Sequence, residues 1–285
     1  MKKIISSICF ALAFFLGNAQ NAKTSNYTIM SFNIRYDNPN DGANSWQNRK
    51  DNALNMLRYN EVDVLGLQEV LAHQLADIKK EFPEYEAIGV GREDGKQKGE
   101  FSPVLFNKNK FQLLQSGYFW LSETPTLPSK GWDAACERIA TWVQLKDKKS
   151  GKKVFVLNTH FDHEGQVARQ ESVALIKTKI DQLSSNFPVI LMGDFNATPE
   201  SSIIQSLLKN DSRTPLFDAK NKAKVVYGPQ WTFHDFGKIP FEKRILIDYF
   251  MVSPSVNVQK YGVLAETLNQ TQLSDHTPIL IKVTL

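Results

Sequence analysis

Cysteine is scarce in this sequence, and its scarcity excludes a disulfide framework. Only Cys9 and Cys136 occur among the 285 residues. Cys9 lies in an apolar N-terminal run without a convincing lipobox, so we do not expect a lipoprotein anchor. Cys136 is then alone and has no partner for an intramolecular disulfide. We interpret Cys136 as a small, buried apolar residue.

A strong charge of one sign is also missing. Lysine and arginine together number 34 and aspartate and glutamate 30, which gives a formal charge of +4 at pH 7. Proteins that depend on general affinity for polyanions usually carry a strong basic excess. The near balance of charge therefore does not indicate general affinity for nucleic acids.

Long hydrophobic runs are lacking except near the N-terminus. Lys2 and Lys3 precede an uncharged stretch over residues 4–15, and small residues follow at positions 17–19. This three-part pattern predicts a signal peptide over residues 1–19. A membrane anchor is disfavoured, because a spanning helix needs about 20 apolar residues. Loss of the two lysines with the signal peptide lowers the formal charge from +4 to +2, and we expect a periplasmic or extracellular protein.

Internal repeats and low-complexity linkers are absent as well. The composition, with 42% hydrophobic and 22% charged residues, is that of an ordinary globular protein with enough apolar residues for a large core. Mixed and all-β domains reach this length as single units. We therefore expect one domain over residues 20–285.

Hydrophobic periodicity indicates many strands and few helices. Period-two alternation and short apolar runs predict strands, and apolar residues three and four apart predict helices. The predicted strands are 27–33, 62–68, 85–90, 103–106, 111–121, 139–145, 153–159, 189–192, 245–252, 256–263 and 278–283, and the predicted helices are 47–59, 71–82, 164–183 and 200–209. Residues 210–237 give no clear pattern. These elements predict an α+β domain of two packed sheets with helices outside.

Polar residues stand where several predicted strands end. They are Asn33, Glu69, His160, Asp194 with Asn196, and Asp275 with His276, while Asp248 lies inside a further apolar run. Taken singly, such residues are also typical of turns and helix caps. Functional groups usually gather on loops that a rigid scaffold positions. We therefore expect the set to form a site on one rim of the sandwich.

The chemistry of this set favours a hard cation. Carboxylates with two histidines and no clustered cysteines suit Mg²⁺ or Mn²⁺ better than a closed zinc site. Such a site suits phosphoester hydrolysis, because the cation and the imidazoles offset phosphoryl charge while a carboxylate orients or deprotonates water. Asp194 and Asn196 would project to the same side if the strand stayed extended between them.

The same residues carry a family resemblance. Six short motifs occur in the order found in the endonuclease/exonuclease/phosphatase superfamily: SFN at 31–33, QE at 68–69, NTHFDH at 158–163, GDFNATP at 193–199, IDY at 247–249 and SDH at 274–276. The resemblance runs from about residue 27 to the C-terminus. It implies the deoxyribonuclease-I-like fold, a four-layer α/β/β/α sandwich of two packed mixed sheets with helices outside.

Three other segments resemble a bacterial subgroup of this superfamily. They are DGANSW at 41–46, GYFWLSETP at 117–125 and GWDAACERIATW at 131–142. Many members of that subgroup are exported, and one branch resembles sugar-phosphate phosphatases. The resemblance thus agrees with the signal peptide that the N-terminus predicts.

The resemblance implies a role for each matching residue. Glu69 is expected to be the principal ligand of Mg²⁺ or Mn²⁺, with Asn33 beside it and Asp275 as a further ligand. Asp194 would orient or deprotonate the attacking water. Asn196 would donate a hydrogen bond to a phosphoryl oxygen.

The resemblance also implies that His160 and His276 contact the phosphate and that a carboxylate holds each ring. Asp248 is expected to hold His276, and Glu100 is expected to hold His160. Arg138 aligns with a phosphate-contacting arginine. A histidine held by a carboxylate has a fixed tautomer and readily carries the positive charge that phosphate binding needs.

Some assignments stay open at this level. The sequence does not decide whether Asp194 or His276 is the base. Leu246 stands where many relatives carry a basic residue, so no phosphate role is assigned to Arg244. We interpret His163 as solvent-exposed or as supporting other residues, and not as catalytic.

The sequence therefore predicts an exported phosphoester hydrolase that acts on a small polar substrate such as a sugar or inositol phosphate. A secreted nuclease that cleaves DNA or RNA is the main alternative, and the near-neutral charge disfavours it. A lipid-headgroup phosphodiesterase would need an amphipathic membrane-binding helix, which the sequence does not show. A non-catalytic binding module should have lost a key residue, and none is lost. We expect a monomer without a stable membrane anchor.

Overall fold

The computed structural model describes residues 25–268 and 271–285. The predicted signal peptide, residues 1–19, lies outside these ranges. No helix among the described residues is long and apolar enough to cross a membrane. The expectation of a single domain over residues 20–285 stays a prediction.

Strands outnumber helices in the described residues. The strands are β1 (Asn26–Asn33), β2 (Val64–Gln68), β3 (Tyr85–Ile88), β4 (Val104–Asn107), β5 (Phe111–Trp120), β6 (Ile139–Asp147), β7 (Lys153–His160), β8 (Val189–Asp194), β9 (Phe217–Asp218), β10 (Val225–Tyr227), β11 (Asp248–Val252), β12 (Asn257–Val263), β13 (Thr267–Leu268), β14 (Thr271–Gln272) and β15 (Ile279–Thr284). The α-helices are α1 (Trp46–Tyr59), α2 (Ala72–Glu81), α3 (Gln166–Leu183), α4 (Ser202–Leu208) and α5 (Ala219–Lys222). Short 3₁₀ turns cover Pro39–Asn44, Asp235–Gly237 and Phe241–Lys243.

Each strand and helix predicted from the sequence is present, with shifts of a few residues at its ends. The largest shift concerns β11, which was expected from residue 245 and begins at Asp248. The preceding backbone is bonded elsewhere: Ile245 accepts from the backbone N–H of Thr232 at 2.8 Å, and Ile247 donates to the Thr232 hydroxyl at 3.1 Å.

The strands form two mixed sheets. The first sheet has the order β10-β12-β15-β1-β2-β4-β3, and the second has the order β5-β6-β7-β8-β11-β9. The pairs β1–β2, β7–β8 and β10–β12 are parallel and the other pairs within these sheets are antiparallel. β13 and β14 form a separate two-stranded ribbon.

Side chains on β8 show how the two sheets pack. Ile190 and Met192 lie in the apolar core between the sheets, whereas Val189 and Leu191 pack against the helices on the outer face. This division follows from the alternation of side chains along a strand. Helices α3 and α4 cover the second sheet in the same way that α1 and α2 cover the first. The four-layer α/β/β/α fold is thereby confirmed.

Helix α1 owes its position to an apolar stripe. Ala53, Met56 and Leu57 are buried and lie three and four residues apart, which places them on one face of the helix. Arg49 lies four residues before Ala53 on the same face and is also fully buried. One charged side chain therefore points into the layer between α1 and the first sheet.

A polar layer joins the two sheets below the rim. The Gln68 amide donates to the Asn158 side chain at 2.7 Å, and the Asn158 amide donates to the carbonyls of Leu67 at 2.8 Å and Pro103 at 2.9 Å. A Cβ on Gly66 would lie 2.8 Å from the Asn158 side-chain oxygen. Glycine at this position therefore lets the sheets approach closely enough for these bonds to form.

The inward-facing rows of four strands change from apolar to polar at the same end of the sandwich. Because inward side chains recur every second residue, each row has a defined last member. The rows are Ile29, Ser31 and Asn33 on β1, Val154, Val156, Asn158 and His160 on β7, Ile190, Met192 and Asp194 on β8, and Val252, Phe250 and Asp248 on β11. The last residues of these rows define one rim.

Candidate active site

Three residues of the second sheet lie side by side on this rim. The strand register places Asp194 between His160 on β7 and Asp248 on β11. Gly193 has a φ of 146°, and a Cβ there would lie 1.9 Å from the Thr159 carbonyl oxygen. Only glycine allows β7 and β8 to come this close, so the GD sequence both ends the strand and delivers the aspartate.

Asp194 is the centre of this arrangement. Its Oδ2 lies 3.4 Å from His160 Nε2 and 3.6 Å from His276 Nε2. The Asn33 amide donates to Oδ2 at 3.1 Å, and the Asn196 backbone N–H donates to Oδ1 at 2.9 Å. Burial and the adjacent carboxylate of β11 raise the pKa of Asp194 to about 7. The structure thus brings together six of the residues that the sequence singled out, Asn33, His160, Asp194, Asn196, Asp248 and His276.

Asn196 reaches the site by a turn rather than by continued strand. Its φ of 46° lies in the left-handed region, which asparagine adopts more readily than most residues. The condition that the strand stays extended between Asp194 and Asn196 is therefore not met. The turn still places the Asn196 amide 3.0 Å from His160 Nε2 and 3.0 Å from the Phe161 carbonyl oxygen.

His276 forms the expected pair with Asp248. Its Nδ1 lies 2.9 Å from Asp248 Oδ2, and its ring packs against Phe233 with 4.9 Å between the ring centroids. Burial lowers the pKa of this histidine, but the two carboxylates of Asp248 and Asp194 more than offset burial and hold the pKa well above the usual value. The ring is therefore an imidazolium.

His160 has the opposite charge state. Burial holds its pKa well below the usual value, and the positive charges of Arg138 and Arg92 lower the pKa further. The ring is therefore neutral, although Asp194 is as close to it as to His276. Among the described residues its Nδ1 has no hydrogen-bond partner.

The predicted pairing of Glu100 with His160 is wrong. Both terminal nitrogens of Arg92 donate to the Glu100 carboxylate at 2.8 Å. The Arg92 backbone N–H also donates to the Glu100 carbonyl at 3.0 Å, which closes the loop and places the guanidinium on the carboxylate. Burial raises the pKa of Glu100, and the negative charge of Glu69 raises it further.

The three expected metal ligands lie together on the side of the first sheet. Glu69 Oε1 accepts from the Asn33 amide at 2.9 Å, and Glu69 Oε2 accepts from the Tyr36 backbone N–H at 3.2 Å. Arg35 Nη1 lies 4.0 Å from Glu69 Oε2 and 3.7 Å from Asp275 Oδ2. Burial and the charge of Glu69 raise the pKa of Asp275.

These residues suit a hard divalent cation. Asp275 is buried and Glu69 partly buried, and both carboxylates lie near Arg35 and gain from positive charge. Oxygen donors are the ligands that Mg²⁺ and Mn²⁺ prefer. The amide nitrogen of Asn33 faces Glu69, and rotation of the amide about its Cβ–Cγ bond would present the oxygen instead. The donor set of Asn33, Glu69 and Asp275 therefore fits the cation that the sequence predicts.

Two further groups of side chains among the described residues could hold a metal ion, since their ligand atoms lie within 4.8 Å of one another. They are Asp194 with Asp248 and His276, and Cys136 with Asp162 and His163. The histidine of the first group is already bonded to its aspartate. The aspartate of the second group accepts from several backbone N–H groups, so we favour the site around Glu69.

Arg138 lies on the same pocket and is anchored by two partners. Its Nε donates to Asp162 Oδ2 at 3.2 Å, and its Nη2 lies 2.8 Å from His163 Nδ1. Burial alone would raise the pKa of Asp162, but the backbone N–H groups of Gly165 and Ala135 and the charge of Arg138 hold it well below the usual range. The arginine is thereby fixed with its Nη1 unpaired among the described residues.

Cys136 differs from its expected setting. It is half-buried rather than buried, it lines the pocket, and its Sγ lies 3.7 Å from Asp162 Oδ2. Burial raises the pKa of the Cys136 thiol. The residue is therefore a neutral part of the pocket wall.

The pocket itself is a cavity of about 660 Å³. The charged groups described above line it together with four apolar residues, Phe233, Ile245, Ile247 and Ala197. Cavities of this size and composition bind small molecules with a polar and an apolar part.

The sequence did not reveal the role of Arg49, which holds the backbone next to the rim in place. Arg49 donates to the backbone carbonyls of Arg35 at 2.7 Å, Leu273 at 3.1 Å and Asn44 at 2.9 Å, and it also bonds Ile34. Burial lowers its pKa to about 10. A single arginine on the apolar face of a predicted helix was the signal that could have identified it.

The sequence matches the family described as Endonuclease/Exonuclease/phosphatase family over residues 30–276. A solved structure of an endonuclease/exonuclease/phosphatase from Bacteroides vulgatus is 43% identical, with a TM-score of 0.88, and the match covers 92% of this chain and 99% of that one. Because the match covers 92% of this chain, the similarity includes both sheets.

A mannosyl-6-phosphatase from Bacteroides thetaiotaomicron is 38% identical, with a TM-score of 0.86, and the match covers 91% of this chain and all of that one. A curated relative, the uncharacterized protein L388 of Acanthamoeba polyphaga mimivirus, is 27% identical over 248 residues, which cover 83% of this chain and 91% of the relative. All of the site residues described above lie within residues 30–276, the part of the chain that matches the family.

Proposed function

The chain belongs to the endonuclease/exonuclease/phosphatase family, and from that premise we propose that it hydrolyses the phosphate ester of a small polar molecule, such as a sugar or inositol phosphate. The chain is a metal-dependent phosphoric ester hydrolase, as its family and its phosphatase neighbour indicate. The proposal therefore concerns the substrate and the roles of individual residues.

The proposal rests on the surroundings of Asp194. This residue lies between His160 and Asp248 on the second sheet, and His276 Nε2 is 3.6 Å from its Oδ2. Asp194 is held by two N–H donors, so it can orient water and take a proton from it. The imidazolium of His276 offsets the charge of the phosphoryl oxygens, and Asp248 fixes that ring. This favours Asp194 over His276 as the base.

Three further groups would complete the phosphate site. The Asn196 amide, which bonds the neutral His160 ring and the Phe161 carbonyl, would exchange one of these partners for a phosphoryl oxygen. The His160 ring would contact the phosphate beside it, and the unpaired Nη1 of Arg138 would add a charged donor. Donors of these kinds satisfy the oxygens of a phosphate from several directions. The phosphoryl group would then lie over the rim, with the rest of the substrate in the cavity.

Asn33, Glu69 and Asp275 would hold the divalent cation, for which we propose Mg²⁺ or Mn²⁺. When bound, the cation would polarise the phosphoryl group and offset its negative charge. Arg35 lies against the same carboxylates and keeps part of their charge balanced. The ligands come from the ends of β1 and β2 and from the segment before β15, so they are fixed by the first sheet.

Three observations support a small substrate. The cavity of about 660 Å³ suits a sugar-sized ligand rather than an extended polymer. The overall charge is close to balance, with 34 basic and 30 acidic residues, which is unlike a nucleic-acid-binding surface. The similar structure from Bacteroides thetaiotaomicron is a mannosyl-6-phosphatase.

A screen of purified protein with Mg²⁺ or Mn²⁺ tests the proposal. The substrates are hexose phosphates, inositol phosphates, an aryl phosphomonoester, DNA and RNA. We expect hydrolysis of a sugar or inositol phosphate, its loss in Asp194→Ala, and its retention in Asp51→Ala, since Asp51 is an exposed residue of α1. Cleavage of nucleic acid without phosphomonoesterase activity would establish the nuclease instead, and no hydrolysis of any substrate would overturn the proposal.

We also propose that the protein is exported after cleavage of residues 1–19, which the sequence predicts as a signal peptide. Expression in a bacterial host followed by fractionation and N-terminal sequencing checks this. We expect the exported protein to begin near residue 20, and a cytoplasmic protein that retains Met1 would contradict the proposal. Size-exclusion chromatography of the same sample checks the expected monomer.

A further inference from the structure

Arg92 and Glu100 bring a salt bridge to the wall of the pocket. Both belong to the loop between β3 and β4, and both line the cavity that contains Asp194. Their side chains are only 15% and 18% exposed, unlike those of an ordinary surface ion pair. Neither residue has a role in the proposed phosphate or metal site.

The salt bridge is held in a fixed position. The Arg92 carbonyl accepts from the Trp120 indole N–H at 2.7 Å, and the Arg92 N–H is bonded to Glu100. A Cβ on Gly95 would lie 3.2 Å from the Trp120 ring, so the loop packs closely on that side chain. Groups that are already ordered lose little conformational freedom when they bind a ligand.

Hydrogen-bond donors on this side of the pocket lack partners. Among the described residues, Arg92 Nε, Arg138 Nη1 and His160 Nδ1 are buried without a hydrogen bond. The side chains of Arg138 and His160 are only 5% and 8% exposed. Buried donors are normally satisfied. Arg138 and His160 already have proposed roles at the phosphate, so Arg92 Nε is the donor left for another oxygen acceptor of the ligand.

The charge of the salt bridge selects the kind of ligand group. The positive charge of Arg92 and the negative charge of Glu100 cancel, so the pair gives no net attraction to a second anion. A hydroxyl group both donates and accepts, and an arginine–carboxylate pair offers both a donor and an acceptor to it. The pair therefore matches a neutral hydroxyl better than a second phosphate.

We propose that Arg92 and Glu100 form a specificity subsite that binds a hydroxyl group on the sugar portion of the substrate. The inference rests on the proposed function, because it assumes that the phosphoryl group lies over Asp194. The subsite then selects polyhydroxylated phosphate esters over alkyl esters of the same length. This role replaces the one that the sequence predicted for Glu100.

The test compares kcat/KM for a hexose 6-phosphate with kcat/KM for n-hexyl phosphate, which has no free hydroxyl on its chain. Arg92→Lys keeps a positive charge beside Glu100 but loses the planar fork and the Nε donor. We expect the ratio of the two values to fall about 10- to 100-fold in Arg92→Lys and in Glu100→Gln, as for a lost hydrogen bond to a charged group. Lys98→Ala, an exposed change in the same loop, is the matched control.

The outcomes separate this inference from the proposed function. If Arg92→Lys and Glu100→Gln hydrolyse both esters with the same ratio of kcat/KM values as the parent, this inference alone is overturned. Calorimetric binding to Asp194→Asn is measured in parallel, and a protein that neither hydrolyses nor binds either ester overturns both. Preference for a hexose bisphosphate that disappears in Arg92→Lys also overturns the inference, because the subsite would then bind an anion. If either variant fails to fold, the double variant Arg92→Gln/Glu100→Gln replaces the pair with two neutral amides.

Discussion

At the scale of single residues, two histidines that share one aspartate carry different charges. Two carboxylates outweigh burial and hold the pKa of His276 high, whereas burial and the charges of Arg138 and Arg92 hold the pKa of His160 low. Asp194 is close to both rings. The two rings therefore have different roles: His276 offsets the negative charge of the phosphate, and His160 offers a hydrogen bond from a neutral ring.

We predict that Asp248→Asn lowers kcat by about 10²-fold or more, since removal of a group that positions a charged catalytic side chain has effects of that order. The asparagine keeps the shape of the side chain but removes the charge that holds the His276 proton. Steady-state kinetics on the best substrate measure the effect. A fall in KM alone, or activity equal to the parent, would contradict the assignment, and circular dichroism checks that the fold is kept.

Asp162 provides a prediction for pH-dependent stability. Its folded pKa is depressed, so its stabilising effect is present above the unfolded value of about 3.9 and is lost as the pH falls toward the folded value. We expect Asp162→Asn to lower the free energy of unfolding by about 1–3 kcal/mol at pH 7.

Urea unfolding at pH 7 and near pH 3 measures this difference. The gap between Asp162→Asn and the parent should shrink at the lower pH, because below the unfolded pKa of about 3.9 the unfolded parent takes up a proton on Asp162 that the folded parent does not bind. Asp51→Asn, on the exposed face of α1, should show no such gap at either pH. A gap that is constant with pH would show that the aspartate acts through shape and not through charge.

Individual residues were predictable to the extent that their position along a strand fixed them. Asp194 ends an inward-facing apolar row and Asp248 begins one, so strand alternation fixes the face of the sheet on which each lies. The partner of Glu100 depended on the path of a loop, which periodicity does not describe. Arg92 lies eight residues before Glu100 in sequence, and it, not His160, bonds the Glu100 carboxylate.

At the scale of elements, the position of β2 depends on Gly66, which has no side chain. A Cβ on Gly66 would lie 2.4 Å from Met192 Cε on the facing sheet. We predict that Gly66→Ala lowers the free energy of unfolding by about 1–3 kcal/mol, as overpacking of a core does.

The same change should lower activity, because the Gln68–Asn158 bond directly below the rim would lengthen. Gly262→Ala is the control, since its Cβ would make an ordinary contact at 3.5 Å with Leu264. Thermal unfolding and kinetics are measured on both variants. Equal stability of the two would show that the sheets tolerate a wider spacing.

Elements with strong hydrophobic periodicity were predicted well, and those held by distant contacts were not. Helix α3 and strand β8 follow their apolar patterns closely. Residues 210–247 gave no assignment or a wrong boundary, because contacts such as those of the Thr232 hydroxyl with the start of β11 shape this segment. Such contacts join residues that are about fifteen positions apart and leave no periodic trace in the sequence.

At the scale of the whole molecule, the site combines side chains from both sheets, and we propose that it holds a divalent cation. We predict that a chelator abolishes activity and that Mg²⁺ or Mn²⁺ restores it. The metal should also raise the melting temperature, since a ligand at 100 times its Kd stabilises the folded state by about 2.7 kcal/mol.

Glu69→Gln should lose this metal-dependent stabilisation and keep the fold, because Gln retains the shape of the side chain. Glu171→Gln, an exposed change on α3, is the control and should respond to metal as the parent does. Differential scanning fluorimetry with a metal titration measures both. An unchanged response in Glu69→Gln would place the cation elsewhere, with the Asp194 group as the next candidate.

The position of β15 has a consequence for biosynthesis. This strand lies between β12 and β1 in the first sheet, although it is the last strand of the described chain. Asp275 and His276, which lie just before it, therefore reach the rim only after every other strand of the two described sheets has been synthesised. A nascent chain that has not yet reached these two residues should therefore be catalytically silent.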